Sequence, residues 1–195
     1  MADSDTVKVW DPLVRLFHWS LAAGFLVAYG TQEIFYDLHL WSGYLVLGLI
    51  GFRLVWGLVG PRHARFADFV RGPRTVVDYV ARLRSGGAPR YLGHNPAGGA
   101  MIVALLACLA LVGLSGVALD AAENRAGPLA GWDLFRWGHI IEEVHEVLSN
   151  LAVVLILGHL AGVLLSSLIH RENLVRAMVT GRKRRDLPPQ DPTHT

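Results

Sequence analysis

The chain is poor in charge, nearly free of cysteine and without any long polar stretch. Only 17% of its 195 residues are charged, against 52% hydrophobic, whereas an ordinary soluble domain carries about a quarter charged residues. Its one cysteine, Cys108, lies within an apolar run. A disulfide, a thiolate zinc site and an iron–sulfur cluster are therefore excluded for this chain alone, and a lone cysteine in such a run behaves as a small hydrophobe. No solenoid-type repeat is present. The formal net charge is only +2, and its basic residues read as a membrane-topology signal and not as a nucleic-acid one.

What is abundant is apolar sequence in four runs long enough to cross a bilayer: Leu13 to Tyr29, Leu40 to Val59, Pro96 to Leu119 and Val144 to Ile169. The first is the weakest, being short and containing Arg15 and His18. Polar and acidic residues precede it and no small-residue cleavage site follows, so it does not read as a signal peptide. The expected fold is all-α, an integral membrane four-helix bundle. Residues 1–185 form its one domain, and 186–195, with three prolines, form a disordered tail. Between the second and third runs, Arg74 to Arg84 interleaves Val76, Val77, Tyr79, Val80 and Leu83 with arginines, the pattern of a helix lying in the membrane interface. Gly60-Pro61, Gly72-Pro73 and Ser85-Gly86-Gly87 punctuate this connection.

Charge sets the orientation. From Arg62 to Arg90 there are seven arginines against Asp68 and Asp78, and from Arg171 to Arg185 five arginines and Lys183 against Glu172. The first connection has Glu33 and Asp37 with no base, and the third has five acids against Arg125 and Arg136, with Asp120, Glu123 and Asp133 expected on an exposed acidic surface. The positive-inside rule then places both termini and the second loop in the cytoplasm. Trp132 and Trp137 suit anchors at the opposite interface.

Ionisable residues inside a span are costly and mark function. His145 and His159 are fourteen residues apart, which on a helix is four turns less about 40°, a rise of roughly 21 Å. Both imidazoles thus leave nearly the same face at two depths. His18 lies near the start of the first run and His39 near the start of the second, which runs the other way. Depth alone pairs His18 with His159 and His39 with His145. Two layers of two imidazoles suit bis-histidine ligation of two b-type haems. Zinc wants about four ligands at one point, which two layers do not supply. No Cys-x-x-Cys-His is present, so both haems would be non-covalent. A single such histidine could equally hydrogen-bond a neighbouring helix; the joint spacing carries the ligand reading.

The other histidines, His63, His94, His139, His170 and His194, read as surface groups, His139 being rotated about 120° from the His145 face; for His94, near the cytoplasmic membrane edge, a quinone or propionate contact also stays open. Arg53 follows His39 by fourteen residues and so lies at the depth of the cytoplasmic haem; a haem propionate and the cytoplasmic headgroups both stay open as its partner. Arg15, one turn before His18, has the same two options. Glu142, Glu143 and Glu146 are candidates to orient His145, and equally suit solvated groups or contacts for a partner's basic patch.

Several stretches together carry a family resemblance. They are Val9 to Trp19 (VWDPLVRLFHW), His39 to Gly43, Gly51 to Pro61 (GFRLVWGLVGP), Gly93-His94-Asn95-Pro96, and Glu143 to Gly162 with the last histidine pair. In these the chain resembles the bacterial di-haem b-type cytochromes, which include bacterial cytochrome b561 and the cytochrome b subunit of membrane nickel–iron hydrogenase. The resemblance implies four spans in the bacterial inner membrane and two haems b on His18, His39, His145 and His159. It further implies electron transfer in a respiratory chain between a membrane quinone and a periplasmic partner, a cytochrome c or a hydrogenase-like protein. The first connection, Thr31 to Leu38, is much shorter than in hydrogenase subunits, which fits a stand-alone cytochrome better.

An electron carrier is the leading reading. The alternative is an enzyme, a superoxide:quinone oxidoreductase, but the acidic third connection is the wrong sign for steering an anion. A haem-free transporter is disfavoured by the lack of Gly/Pro-broken spans.

Overall fold

A computed structural model describes residues 6–32 and 34–185. Two short strands, β1 (Thr6–Lys8) and β2 (Arg182–Arg184), flank seven α-helices: α1 (Pro12–Thr31), α2 (Tyr36–Val59), α3 (Phe66–Phe69), α4 (Pro73–Arg84), α5 (Pro96–Asn124), α6 (Gly138–Ile169) and α7 (Leu174–Thr180). Four of these, α1, α2, α5 and α6, are long and apolar enough to cross a membrane. The weakest is α1, at a mean hydropathy of 1.3 against 2.7 for α5, in line with its mixed sequence. The tail expected to be disordered, 186–195, lies outside the described residues.

The helix starts follow from local chemistry. Asp11 accepts hydrogen bonds from the Leu13 and Val14 amides at 2.9 and 3.1 Å, with Pro12 in the first turn. Asn95 does the same for α5 through the Gly98 amide at 2.7 Å, before Pro96. Gly60-Pro61 stops α2, and α4 begins at Pro73 and ends at Ser85.

Helix α1 packs on α2, α5 on α6, and α2 on α5; α1 and α6 are not among the packed pairs. The core between them is made of Phe17, Val46, Ile50, Leu106, Cys108, Leu109 and Ala152. Outward, Leu151, Val154, Leu157, Leu160, Leu164 and Leu168 of α6 are all exposed, as a face toward lipid chains requires. The two strands pair antiparallel, Val7 opposite Lys183, so the segment that leads into α1 and the segment that follows α7 meet on one side of the bundle, here the terminal side. Sequence periodicity did not foresee these strands or α3.

Candidate functional site

The four in-span histidines meet in two pairs. On the terminal side, His18 of α1 and His159 of α6 have ring centres 6.4 Å apart with planes at 53°. On the far side, His39 of α2 and His145 of α6 have centres 6.2 Å apart at 85°. All four rings are half-buried. An imidazole nitrogen sits about 2.0 Å from a first-row metal and about 1.1 Å from its own ring centre, so two rings coordinating one metal from opposite sides have centres about 6.2 Å apart. Both pairs match that spacing. Among the described residues no three His, Cys, Asp or Glu side chains converge as a metal site. Two imidazoles per site therefore fit a metal whose other ligands arrive with a macrocycle, as in a haem.

The far-side rings are held by hydrogen bonds. His39 Nδ1 donates to Ala28 O at 2.8 Å, a carbonyl in the last turn of α1 that Thr31 Oγ1 also approaches, at 3.5 Å. His145 Nδ1 shares its proton between Val112 O and Ser115 Oγ, each at 3.0 Å, while Ser115 itself donates to Val112 O. A carbonyl only accepts, so Nδ1 carries the proton on both rings and Nε2 is the free donor to a metal. Glu142, Glu143 and Glu146 do not take the orienting role expected of them. Glu143 and Glu142 instead lie beside the exposed His139. Gly116 makes the fit possible: a Cβ there would stand 3.1 Å from His145 Cε1. Sequence reasoning missed Ala28, Val112, Ser115 and the role of Gly116, since a carbonyl acceptor leaves no trace in residue type.

A cavity of about 340 Å³ opens beside this pair, lined among others by His39, His145, Gly43 and Gly116, with Tyr36 and Asp120 at its outer end. Asp120, expected in an exposed acidic surface, is buried instead. Tyr36 Oη donates to its carboxylate, and Asn124 Nδ2 reaches Asp120 at 3.2 Å and Tyr36 Oη at 2.8 Å. Glu123, Asp133, Glu142, Glu143 and Glu146 remain exposed on the far side.

The terminal-side pair is different. His18 Nδ1 is enclosed with no hydrogen-bond partner, its ring edge-on to Trp19 at 5.1 Å, and His159 makes no side-chain hydrogen bond among the described residues. Arg53 does not snorkel to headgroups: it is 3% exposed, with its guanidinium 4.9 Å from the Phe66 ring centre and 5.9 Å from that of Phe69. Its Nη1 is buried and unpartnered, which leaves a donor free for an anionic group. Arg15 runs along Gly181, its Nη1 3.1 Å from where a Cβ would be, and its Nε is likewise enclosed and unpartnered.

His94 is a further correction. Its ring packs on Trp10 at 4.4 Å and Phe69 at 4.8 Å, with Nδ1 enclosed. Burial, then the charges of Arg53, Lys183 and His63, push it down to about 3, against a smaller opposing pull from Asp68. It is neutral at physiological pH. Asp68 is itself raised by burial, but hydrogen bonds from His63 (2.9 Å) and Arg62 (3.2 Å) outweigh this and hold it below the usual carboxylate range. His170 is half-buried next to the terminal side, and His194 lies outside the described residues.

Four apolar helices with histidines facing one another at two depths are the frame of a membrane b-type cytochrome. The sequence model of that frame, described as prokaryotic cytochrome b561, matches residues 9–181. The chain belongs to the prokaryotic cytochrome b561 family. No match was found among curated proteins or among solved structures. Membership makes this a bacterial membrane b-type cytochrome with a role in electron transfer, and one that binds haem b.

Proposed function

We propose that each histidine pair holds one non-covalent haem b, and that the protein is a di-haem electron carrier of the bacterial inner membrane, placed between a membrane quinone and a periplasmic redox partner. The observation that carries this reading is the spacing of the two ring pairs, 6.4 and 6.2 Å. Haem with two imidazole ligands has no open position and supplies one-electron transfer without binding oxygen. The chain's own residues do the rest. Nε2 of His39 and of His145 would be the atoms that hold a haem, since Nδ1 is committed to Ala28 O, Val112 O and Ser115. The pairs lie roughly 21 Å apart along α6, so the two sites connect the two membrane faces. Arg53, buried with a free Nη1, is the terminal-side group suited to a propionate carboxylate. Arg15 offers its enclosed Nε to the same purpose.

The arginine-rich connection and chain ends put the terminal side in the cytoplasm. The far side then faces the periplasm with Glu123, Asp133, Glu142, Glu143 and Glu146 exposed. That acidic face favours a cationic protein partner over superoxide, because it repels a small anion and attracts a basic docking patch.

The test uses purified protein expressed with haem supply. Pyridine haemochrome should give two haems b per chain, and a quinol should reduce both. Reduction by a cationic cytochrome c should slow as salt rises and slow again in Glu123→Gln/Asp133→Asn. One haem per chain, or none, would refute the di-haem reading. Rapid reduction by superoxide alone, passed on to quinone, would replace the carrier with an oxidoreductase.

A further inference from the structure

We infer that the two-stranded clasp on the terminal side is a positioning device for the His18–His159 pair, with Arg90, Glu172 and Lys183 as its positioning residues. The inference rests on the di-haem reading above and extends it to residues outside the spans. Four observations lead to it.

First, α6 packs closely on α5 and on neither α1, which carries His18, nor α2, which carries His39. Direct helix packing therefore sets neither ring pair, although the centres stand 6.4 and 6.2 Å apart, and each pair needs another device to place it. Second, the terminal-side rings have no orienting hydrogen bonds, His18 Nδ1 being enclosed and unpartnered. The far-side rings, by contrast, are fixed by three acceptors. Placement of the terminal-side ligands is therefore left to the backbone.

Third, the clasp joins the right two ends. Strand β1 leads through Trp10 into α1, whose His18 is two turns from its start. Strand β2 follows α7 after the end of α6. Thr6, Val7 and Lys8 face Arg184, Lys183 and Arg182, and Gly181 O accepts from the Val9 and Trp10 amides at 2.9 and 3.1 Å. Gly181 has φ +79°, and a Cβ there would be 2.7 Å from Trp10 O, so only glycine allows this closure. Val9, Trp10 and Ala177 form a small core of their own.

Fourth, a charged group locks it. Arg90, from the connection into α5, makes two hydrogen bonds to Glu172 (2.8 and 3.3 Å) and one to Arg184 O (2.6 Å). Lys183 Nζ lies 3.8 Å from Glu172 and 5.7 Å from the Trp10 ring centre, and donates to Tyr91 O at 3.4 Å. Glu172 and Lys183 are both buried. Ordering a buried ionic group at a chain end is costly unless its geometry is specific.

The experiment compares the full-length haem-loaded protein with Arg90→Gln/Glu172→Gln, and with the same variant carrying Thr6→Cys/Arg184→Cys. These positions face each other in the sheet, within disulfide reach for an antiparallel pair. Low-temperature electron paramagnetic resonance of the oxidised protein reads the ring planes at each haem, and the signals are assigned with His159→Ala and His145→Ala. Opening the clasp should move the terminal-side signal beyond its linewidth and leave the far-side signal in place. Oxidising the cysteine staple should return it, and reducing the staple should release it again. Two unchanged signals in the open variant would overturn the proposal, as would equal disturbance of both, which would make the clasp a general brace. A wild-type protein without two low-spin haem signals would instead overturn the di-haem reading itself.

Discussion

Gly116 illustrates how much of the site rests on single residues. Its missing side chain lets the His145 ring lie 3.1 Å from the Cβ position while Nδ1 stays on Val112 O and Ser115. Gly116→Val would set a Cβ 3.1 Å from the ring and add two methyl groups to it, so the ring has to shift. The expected outcome is loss or displacement of the far-side haem signal, with the terminal-side signal kept, read by paramagnetic resonance and haem content. An unchanged far-side signal would remove Gly116 from the site. The histidines themselves were legible in the sequence, because ionisable residues in apolar runs stand out and a helix converts their spacing into depth. Gly116 was not, since small residues line any helix contact and only the register of α5 against α6 singles it out. Asp120 misled for a related reason: its burial depends on Tyr36, 84 residues away in sequence.

At the scale of elements, the four spans and α4 were legible from hydropathy and from the Gly-Pro boundaries that flank the second connection. The short pieces were not. Strands of three residues reading TVK and RKR carry no alternation to detect, and α3 is a single turn whose Phe69 is buried beside Arg53 and His94. The loop carrying His94 is seated between α3 and the lead into α1, and this packing has a pH signature. Because His94 is held at about 3 when folded, against about 6.5 in an unfolded chain, the unfolded state alone takes up its proton in between. Stability is therefore full above about pH 6.5 and falls as the pH drops toward 3, by about 1.4 kcal/mol per pH unit for one proton. Denaturation of His94→Gln between pH 6 and 4 should show a slope shallower than wild type by that amount. Equal slopes would mean that His94 titrates freely in the folded protein.

For the whole molecule, the asymmetry between the two faces organises the account. One face holds α4, the clasp and most of the described arginines; the other holds exposed Trp132, Trp137 and the acids around them. A reporter that works only in the periplasm should be active when fused after Gly127 and silent after Gly86. The reverse would exchange the membrane sides of the two sites and leave the pairing of rings untouched. The most direct test of the central claim is the haem left in His145→Ala and in His159→Ala, purified and compared by redox titration and paramagnetic resonance. The two substitutions lie on one helix, fourteen residues apart, and should each leave one haem per chain, a different one in each case, with His39→Ala matching the first and His18→Ala the second. Loss of the same haem from both α6 variants would contradict the account of two bis-histidine sites.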